Sequence, residues 1–233
     1  MVRIFLKVLT IALGGCVLAV GLALGWLFFY SRDLPDIHSL DPFVPQTATT
    51  VSSPCATDTS VAIPYDSIGS TLRAALGAAE GGEEGPSAFP HGLSDDARSA
   101  LSFQIARTMF CEPEKGLTRQ VREMRLAVQL DRHFSRRELL TIAANRYFFG
   151  DGGVGVQAAS QYFVYQNPGE LSIGEAALLA GLVRAPSYFS PEKHPDRALR
   201  RRNEVVDAMV KEGRITAAEG ESAKKSSLFA KSS

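Results

Sequence analysis

The sequence predicts a mainly α-helical domain carried behind one membrane-spanning helix, and three observations support that expectation. Residues Val8 to Tyr30 form a 23-residue run without a charge. Farther along, three positions set a hydroxyl residue three places before a glutamate, the pattern that opens a helix with a capping box. Strand signals are sparse, because only Thr49 to Val51, inside a Pro-, Thr- and Ser-rich stretch, reads as extended. With 233 residues and 45% hydrophobic content, the chain can bury one sizeable core and is not of disordered composition.

The uncharged run, VLTIALGGCVLAVGLALGWLFFY, would span about 34 Å as a helix, against a hydrocarbon core of about 30 Å. Arg3 and Lys7 precede it, while Arg32 and Asp33 cancel after it, so the positive-inside bias puts the N-terminus in the cytoplasm and the domain outside. Trp26, Phe28, Phe29 and Tyr30 fit an interfacial belt. A cleaved signal peptide has a shorter apolar core. The Leu13-Gly14-Gly15-Cys16 stretch resembles a lipoprotein cleavage box but is followed by more apolar sequence instead of a polar linker. The expected organisation is a cytoplasmic N-terminus over 1–7, a transmembrane helix over 8–30, a juxtamembrane linker over 31–63 that packs along the domain, the domain itself over 64–225, and a tail over 226–233.

Within the domain, Asp66 to Ala79 is alanine-rich and helical, and Gly81, Gly82, Gly85 and Pro86 end it in a flexible loop. The capping boxes are Ser135 with Glu138, Ser172 with Glu175 and Thr216 with Glu219, which predict helix starts near Arg136, Ile173 and Ala217. Pro186, Pro191 and Pro195 separate the Glu175 helix from a helix over Arg197 to Glu212. The four histidines, His38, His91, His133 and His194, are too scattered along the chain to suggest zinc. Cys55 and Cys111 are an even pair suited to a disulfide in an oxidising compartment, with two buried thiols as the alternative.

Equal numbers of basic and acidic residues, 25 each, conceal an asymmetry. Residues 31–100 hold three basic and ten acidic residues, a net of minus seven, whereas 101–233 hold twenty and fifteen, a net of plus five. That division suits an anionic ligand held in a cleft, and a solvated arginine-rich surface would have the same composition. Arg119, Arg122 and Glu123 lie within about one and a half helical turns, so guanidinium groups that can grip a phosphate sit beside one carboxylate. Nucleic acid is not an expected partner.

The segments TRQVREMRLAVQLDRHF, SRRELLTIAANRYFFG, GVQAASQYF and SIGEAALLAGLVRAPSYFSP resemble, in order and spacing, the peptidoglycan glycosyltransferases, glycosyltransferase family 51. The resemblance runs from Leu72 to Lys224 and implies a lysozyme-like α-helical domain with a flexible jaw. It also implies a reaction in which a glutamate takes the proton of an acceptor hydroxyl while basic groups, with a divalent cation such as Mg or Mn, steady a lipid pyrophosphate leaving group. In the family the base opens a glutamate-aspartate motif at a helix end. Here LRAALGAAE ends on Glu80, which takes that place; Gly81 stands for the aspartate, and Phe89 and His91 come later than in the family. Extra residues around Glu83 and Glu84 make these the substitute bases.

The family's second motif has a reduced counterpart in SALSFQIARTMF, with Ser99, Ser102, Gln104 and Arg107 in matching places, Phe103 replacing a glutamine and Thr108 an asparagine. The third motif is matched by Arg119, Arg122 and Glu123, and the resemblance gives Glu123 a catalytic place near the pyrophosphate and its metal. Arg122 for lysine keeps the charge and adds a planar fork. Asn145, Phe149 and Gly150 resemble cleft-shaping positions. Glu175 to Ser187 reads as core, and Arg201, Arg202 and Asn203 lie on a helix whose counterpart walls the cleft. The resemblance thus assigns catalysis to Glu80 and Glu123, and substrate or pyrophosphate binding to Ser99, Ser102, Gln104, Arg107, Arg119, Arg122, Asn145, Arg202 and Asn203.

The implied function is polymerisation of lipid II into glycan strands at the outer face of a bacterial inner membrane, beside a separate transpeptidase. The alternative is an inactive relative that binds lipid-linked precursors or cell-wall synthesis proteins. A lytic enzyme would share the fold but would not need Arg119 and Arg122.

Overall fold

The computed structural model describes residues 14, 15, 17–26, 28, 29, 34–45, 49–52, 59–81, 97–109 and 116–228. Glu83, Glu84, Phe89 and His91, in the loop expected after Gly81, and the Cys55–Cys111 pair lie outside the described residues.

The described residues within 14–29 are helical, denoted α1, and their large side chains from Val17 to Phe29 are exposed. Among the described residues no helix is long and apolar enough to cross a membrane. The expected span over 8–30 includes residues outside that set.

After α1 the linker packs onto the domain. A 3-10 helix, η1 (Ile37–Phe43), is capped by the Asp36 carboxylate, which accepts from the His38 amide at 3.0 Å. Leu40 and Phe43, three residues apart, face the same way because a 3-10 helix has three residues per turn, and both are fully buried. An antiparallel pair follows, β1 (Thr49–Ser52) and β2 (Thr59–Ala62), with Thr49 opposite Ala62 and Ser52 opposite Thr59. The extended stretch expected near Thr49 is therefore one arm of a hairpin.

The helix expected from Asp66 starts later. Tyr65–Ile68 is a 3-10 turn (η2), and α2 covers Ser70–Gly81. Gly69 separates them with φ of +78°, and a Cβ there would stand 2.8 Å from the Pro168 carbonyl oxygen, so glycine's freedom is needed on both counts. The remaining helices are α3 (Ala97–Met109), α4 (Leu117–His133), α5 (Arg136–Arg146), α6 (Val156–Val164), α7 (Ile173–Leu182), α8 (Pro195–Lys211) and α9 (Ala217–Lys225). The three capping boxes form in both directions at Ser135, Ser172 and Thr216, and α5, α7 and α9 start where they predict.

The apolar α7 is the hub, buried at Gly174 and from Ala176 through Leu182 between α2 and α8. On the other side α3 packs against α4 and α5. Helix α4 is amphipathic, and its inward stripe runs through Glu123, Leu126, Ala127 and Leu130. The same packing that buries those apolar side chains carries a carboxylate inside.

Candidate active site

A buried carboxylate is costly unless it is paired. Glu123 is 3% exposed and is met by two guanidinium groups. Arg119, one turn earlier on α4, donates from Nε to Glu123 Oε1 at 2.5 Å. Arg107, near the end of α3, places Nε 3.7 Å from Oε2 and lies over the Phe103 ring at 5.8 Å. The guanidinium of Arg107 is about half exposed, so this face of the cluster is open to solvent.

The C-terminal carbonyls of α3 draw further positive charge to the same place, as the negative end of a helix dipole should. Arg119 also donates to the Arg107 carbonyl at 3.4 Å, and Arg146, from the end of α5, donates to the Thr108 carbonyl at 3.2 Å. Arg146 is 5% exposed, and burial pushes it down to about 10, which still leaves it charged at neutral pH. Arg122 is half-buried beside Glu123. Arg107 and Arg119 around Glu123, with Arg146 against the end of α3, make the α3–α4 contact a cationic site suited to a phosphate or pyrophosphate.

Not every residue expected at the site is free to meet a ligand. Ser102 is fully buried, and its hydroxyl donates to Asp131 Oδ1 at 2.5 Å, tying α3 to α4. Asn145 is also fully buried. Its Oδ1 accepts from the Ile63 amide at 3.0 Å, and its Nδ2 donates to the carbonyls of Phe43 and Ile63, both at 2.9 Å. That amide therefore fastens the linker to α5. Arg202, 1% exposed, points to the end of α9, donating to the carbonyls of Lys224 at 2.7 Å and Ser226 at 2.9 Å, and its Nε and Nη2 are held by Asn203 Oδ1. The expected pyrophosphate contacts of Arg202 and Asn203 give way to a helix cap, because carbonyls left over at the C-terminus of α9 need donors.

Gln104 is half-buried on α3, and Ser99 belongs to the same helix. Glu80 belongs to the last turn of α2. The carbonyl of the preceding residue, Ala79, accepts a long hydrogen bond of 3.5 Å from Arg201 Nη2. Arg146 is the functional candidate absent from the expected set, whereas Arg201 was expected on the cleft wall and is found at the end of α2. A signal for Arg146 existed, since 139, 142, 143 and 146 form one inward stripe of α5 and only the last is charged.

Residues 91–210, more than half of the chain, match the family described as Transglycosylase. The match begins after Glu80. Among similar proteins, penicillin-binding protein 1A of Aquifex aeolicus is 40% identical over 118 residues, covering 51% of this chain and 16% of that protein. Penicillin-binding protein 1A of Rickettsia bellii is 30% identical over 214 residues, covering 82% of this chain and 27% of the relative. A solved structure of penicillin-binding protein 1A from Haemophilus influenzae aligns over 60% of this chain and 17% of its own, at 28% identity and a TM-score of 0.38. The chain thus spans only about a sixth to a quarter of the length of these curated relatives. With the family match covering the paired Glu123, its arginines and the α7 hub, the chain belongs to the transglycosylase family and carries a peptidoglycan glycosyltransferase domain.

Proposed function

We propose that this domain polymerises lipid II into glycan strands by inverting displacement of a lipid pyrophosphate, anchored by its N-terminal helix to the outer face of a bacterial inner membrane. The observation that carries the reading is Glu123, buried where Arg119 and Arg107 converge on its carboxylate. In this mechanism Glu80 accepts the proton of the acceptor sugar hydroxyl as that oxygen attacks the anomeric carbon of the lipid-linked donor. The bond from that carbon to the pyrophosphate breaks on the opposite face, so configuration inverts. The charge developing on the leaving pyrophosphate is met by Arg107 and Arg119, with Arg122 on the same helix, while buried Arg146 adds its positive charge from behind. Glu123 holds Arg119 and Arg107 in position for that task.

The divalent Mg or Mn implied by the resemblance does not fit the donor set at Glu123. Hard cations take several oxygen ligands, whereas here both carboxylate oxygens face guanidinium nitrogens. Among the described residues, Glu123 belongs to no group of three or more potential metal ligands. No step is assigned to a metal.

The anchor supports the reading because donor and acceptor both present their pyrophosphates at the bilayer surface. The exposed apolar side chains of α1 lead to Phe28, whose ring lies 4.7 Å from the Arg125 guanidinium on α4, the helix that bears Glu123. A separate transpeptidase would cross-link the strands. One observation favours the inactive, lipid-binding alternative: Phe103, which stands for a family glutamine, is buried in the core and has a ring in place of an amide. Chain formation from labelled lipid II by the detergent-solubilised protein separates the two readings. Polymer from wild type, lost in Glu80→Gln and largely kept in Glu83→Gln and Glu84→Gln, supports the enzyme and its base. Lipid II binding without polymer would sink the enzymatic reading.

A further inference from the structure

The histidines that look scattered in sequence do not all stay apart in the fold. His38 lies on η1 and His133 at the last position of α4, and their rings meet edge to face with centroids 4.9 Å apart. Asp41 stands beside them, with Oδ2 3.4 Å from His38 Nδ1. We propose that His38, Asp41 and His133 form a surface site for a transition-type divalent cation, zinc being the natural candidate, that clamps the juxtamembrane linker onto the helix carrying Glu123.

The placement follows from local geometry. In a 3-10 helix side chains three residues apart eclipse, so His38 and Asp41 share one side of η1 while Leu40 and Phe43 share the buried side. The inward pair fixes the orientation of the outward pair. The Asp36 cap on the His38 amide and the Ser39 hydroxyl, which donates to the Asp36 carbonyl at 2.6 Å, hold the first turn. On α4, Leu130 and Phe134 are buried to either side of His133 and leave its imidazole outward, edge-on to the Phe134 ring at 4.9 Å. Backbone on both sides of the site is therefore set by the core.

One ligand atom from each of the three side chains comes within 4.8 Å of the other two. Bonds of about 2.0–2.1 Å in a tetrahedron give ligand-to-ligand edges of about 3.4 Å. The His38–Asp41 separation already has that value, and His133, within 4.8 Å of both, is the ligand that must draw in on binding. Two imidazole nitrogens and one carboxylate suit zinc and its neighbours, whereas magnesium and calcium prefer all-oxygen sets. All three residues are exposed, so water completes the coordination.

The consequence lies in what α4 connects. Its first turns hold Arg119 and Glu123, its middle reaches α1 through Arg125 and Phe28, and its end meets η1 at this cluster. Beside the Arg125–Phe28 contact, a bound cation would add a second tie between the membrane side and the helix of the arginine cluster, made only when metal is present.

The test is calorimetric titration of zinc chloride into the tag-free full chain in detergent, with thermal melts alongside. One zinc per chain is expected, together with a rise in melting temperature that magnesium at equal concentration does not produce. His38→Gln and His133→Gln should each weaken binding at least about 10-fold, while His194→Gln binds as wild type; circular dichroism checks that each variant is folded. Absence of stoichiometric binding, or undiminished binding in both His38→Gln and His133→Gln, overturns the proposal and leaves a surface ion pair beside a stacked ring.

Discussion

Arg119 and Glu123 form the shortest link in the arginine cluster, with Nε 2.5 Å from Oε1 across one turn of α4. Exposed pairs at this spacing contribute only a few tenths of a kcal/mol, but Glu123 is buried, and removing one partner of a buried pair costs about 3–5 kcal/mol. Glu123→Ala should therefore lower the melting temperature as well as activity. Glu123→Gln keeps the shape and removes the charge, and polymerisation from lipid II should fall by about 10²–10³-fold in a protein that still folds. Wild-type turnover in Glu123→Gln would reduce the pair to a structural tie.

Arg202 gives the opposite expectation. Its guanidinium is buried against the carbonyls of Lys224 and Ser226 at the end of α9, and desolvation holds it below the ordinary arginine range. Arg202→Met should destabilise the domain by about 2–4 kcal/mol by leaving those carbonyls without donors. Turnover per folded molecule at low temperature should stay near wild type. A collapse of turnover without loss of stability would return Arg202 to the cleft.

What was legible in the sequence was whatever is decided locally. A capping box needs only a hydroxyl and a glutamate three residues apart, so Ser135, Ser172 and Thr216 announced three helix starts. The Arg119–Glu123 pair was legible for the same reason, being one helical turn long. The roles of Ser102, Asn145 and Arg202 were not, because their partners are Asp131, Phe43 with Ile63, and Lys224 with Ser226, brought near only by tertiary packing. A family resemblance marks a polar residue as special but does not say whether its partner is a ligand or the chain's own backbone.

The α5 cap predicts a pH dependence. Hydrogen bonds from Ser135 hold the Glu138 carboxyl below its usual value of 4.5. A carboxyl lowered in the folded state contributes stability that is present above the unfolded value and lost as pH falls through the folded one. Glu138→Gln should thus be less stable than wild type at neutral pH, with the gap narrowing below about pH 4.5 and closing once wild-type Glu138 is protonated. Denaturant melts of both proteins across that range check it, and a gap independent of pH would show that the charge is not what the cap uses.

Arg201 bears on the turn of α2 that carries Glu80. Arg201 crosses from α8 to the end of α2, where Nη2 reaches the Ala79 carbonyl, while Nη1 pairs with Glu204 at 3.0 Å and the guanidinium lies 5.9 Å from the Phe189 ring. A cation there complements the negative end of the α2 dipole and fixes the turn that bears Glu80. The crossing is possible because Gly181 lets α7 and α8 approach; a Cβ at that position would fall 2.9 Å from Arg201 Cγ. Arg201→Ala should lower kcat about 10-fold, the scale of one hydrogen bond from a charged donor, with KM for lipid II little changed. Arg201→Lys should recover part of the loss. Gly181→Ala, which displaces the same side chain, should produce a similar defect. The two changes act through one contact, so their combination should cost little more than either alone. Fully additive losses would mean that Arg201 and Gly181 influence turnover by separate routes, and that the α8 crossing is not what sets the last turn of α2.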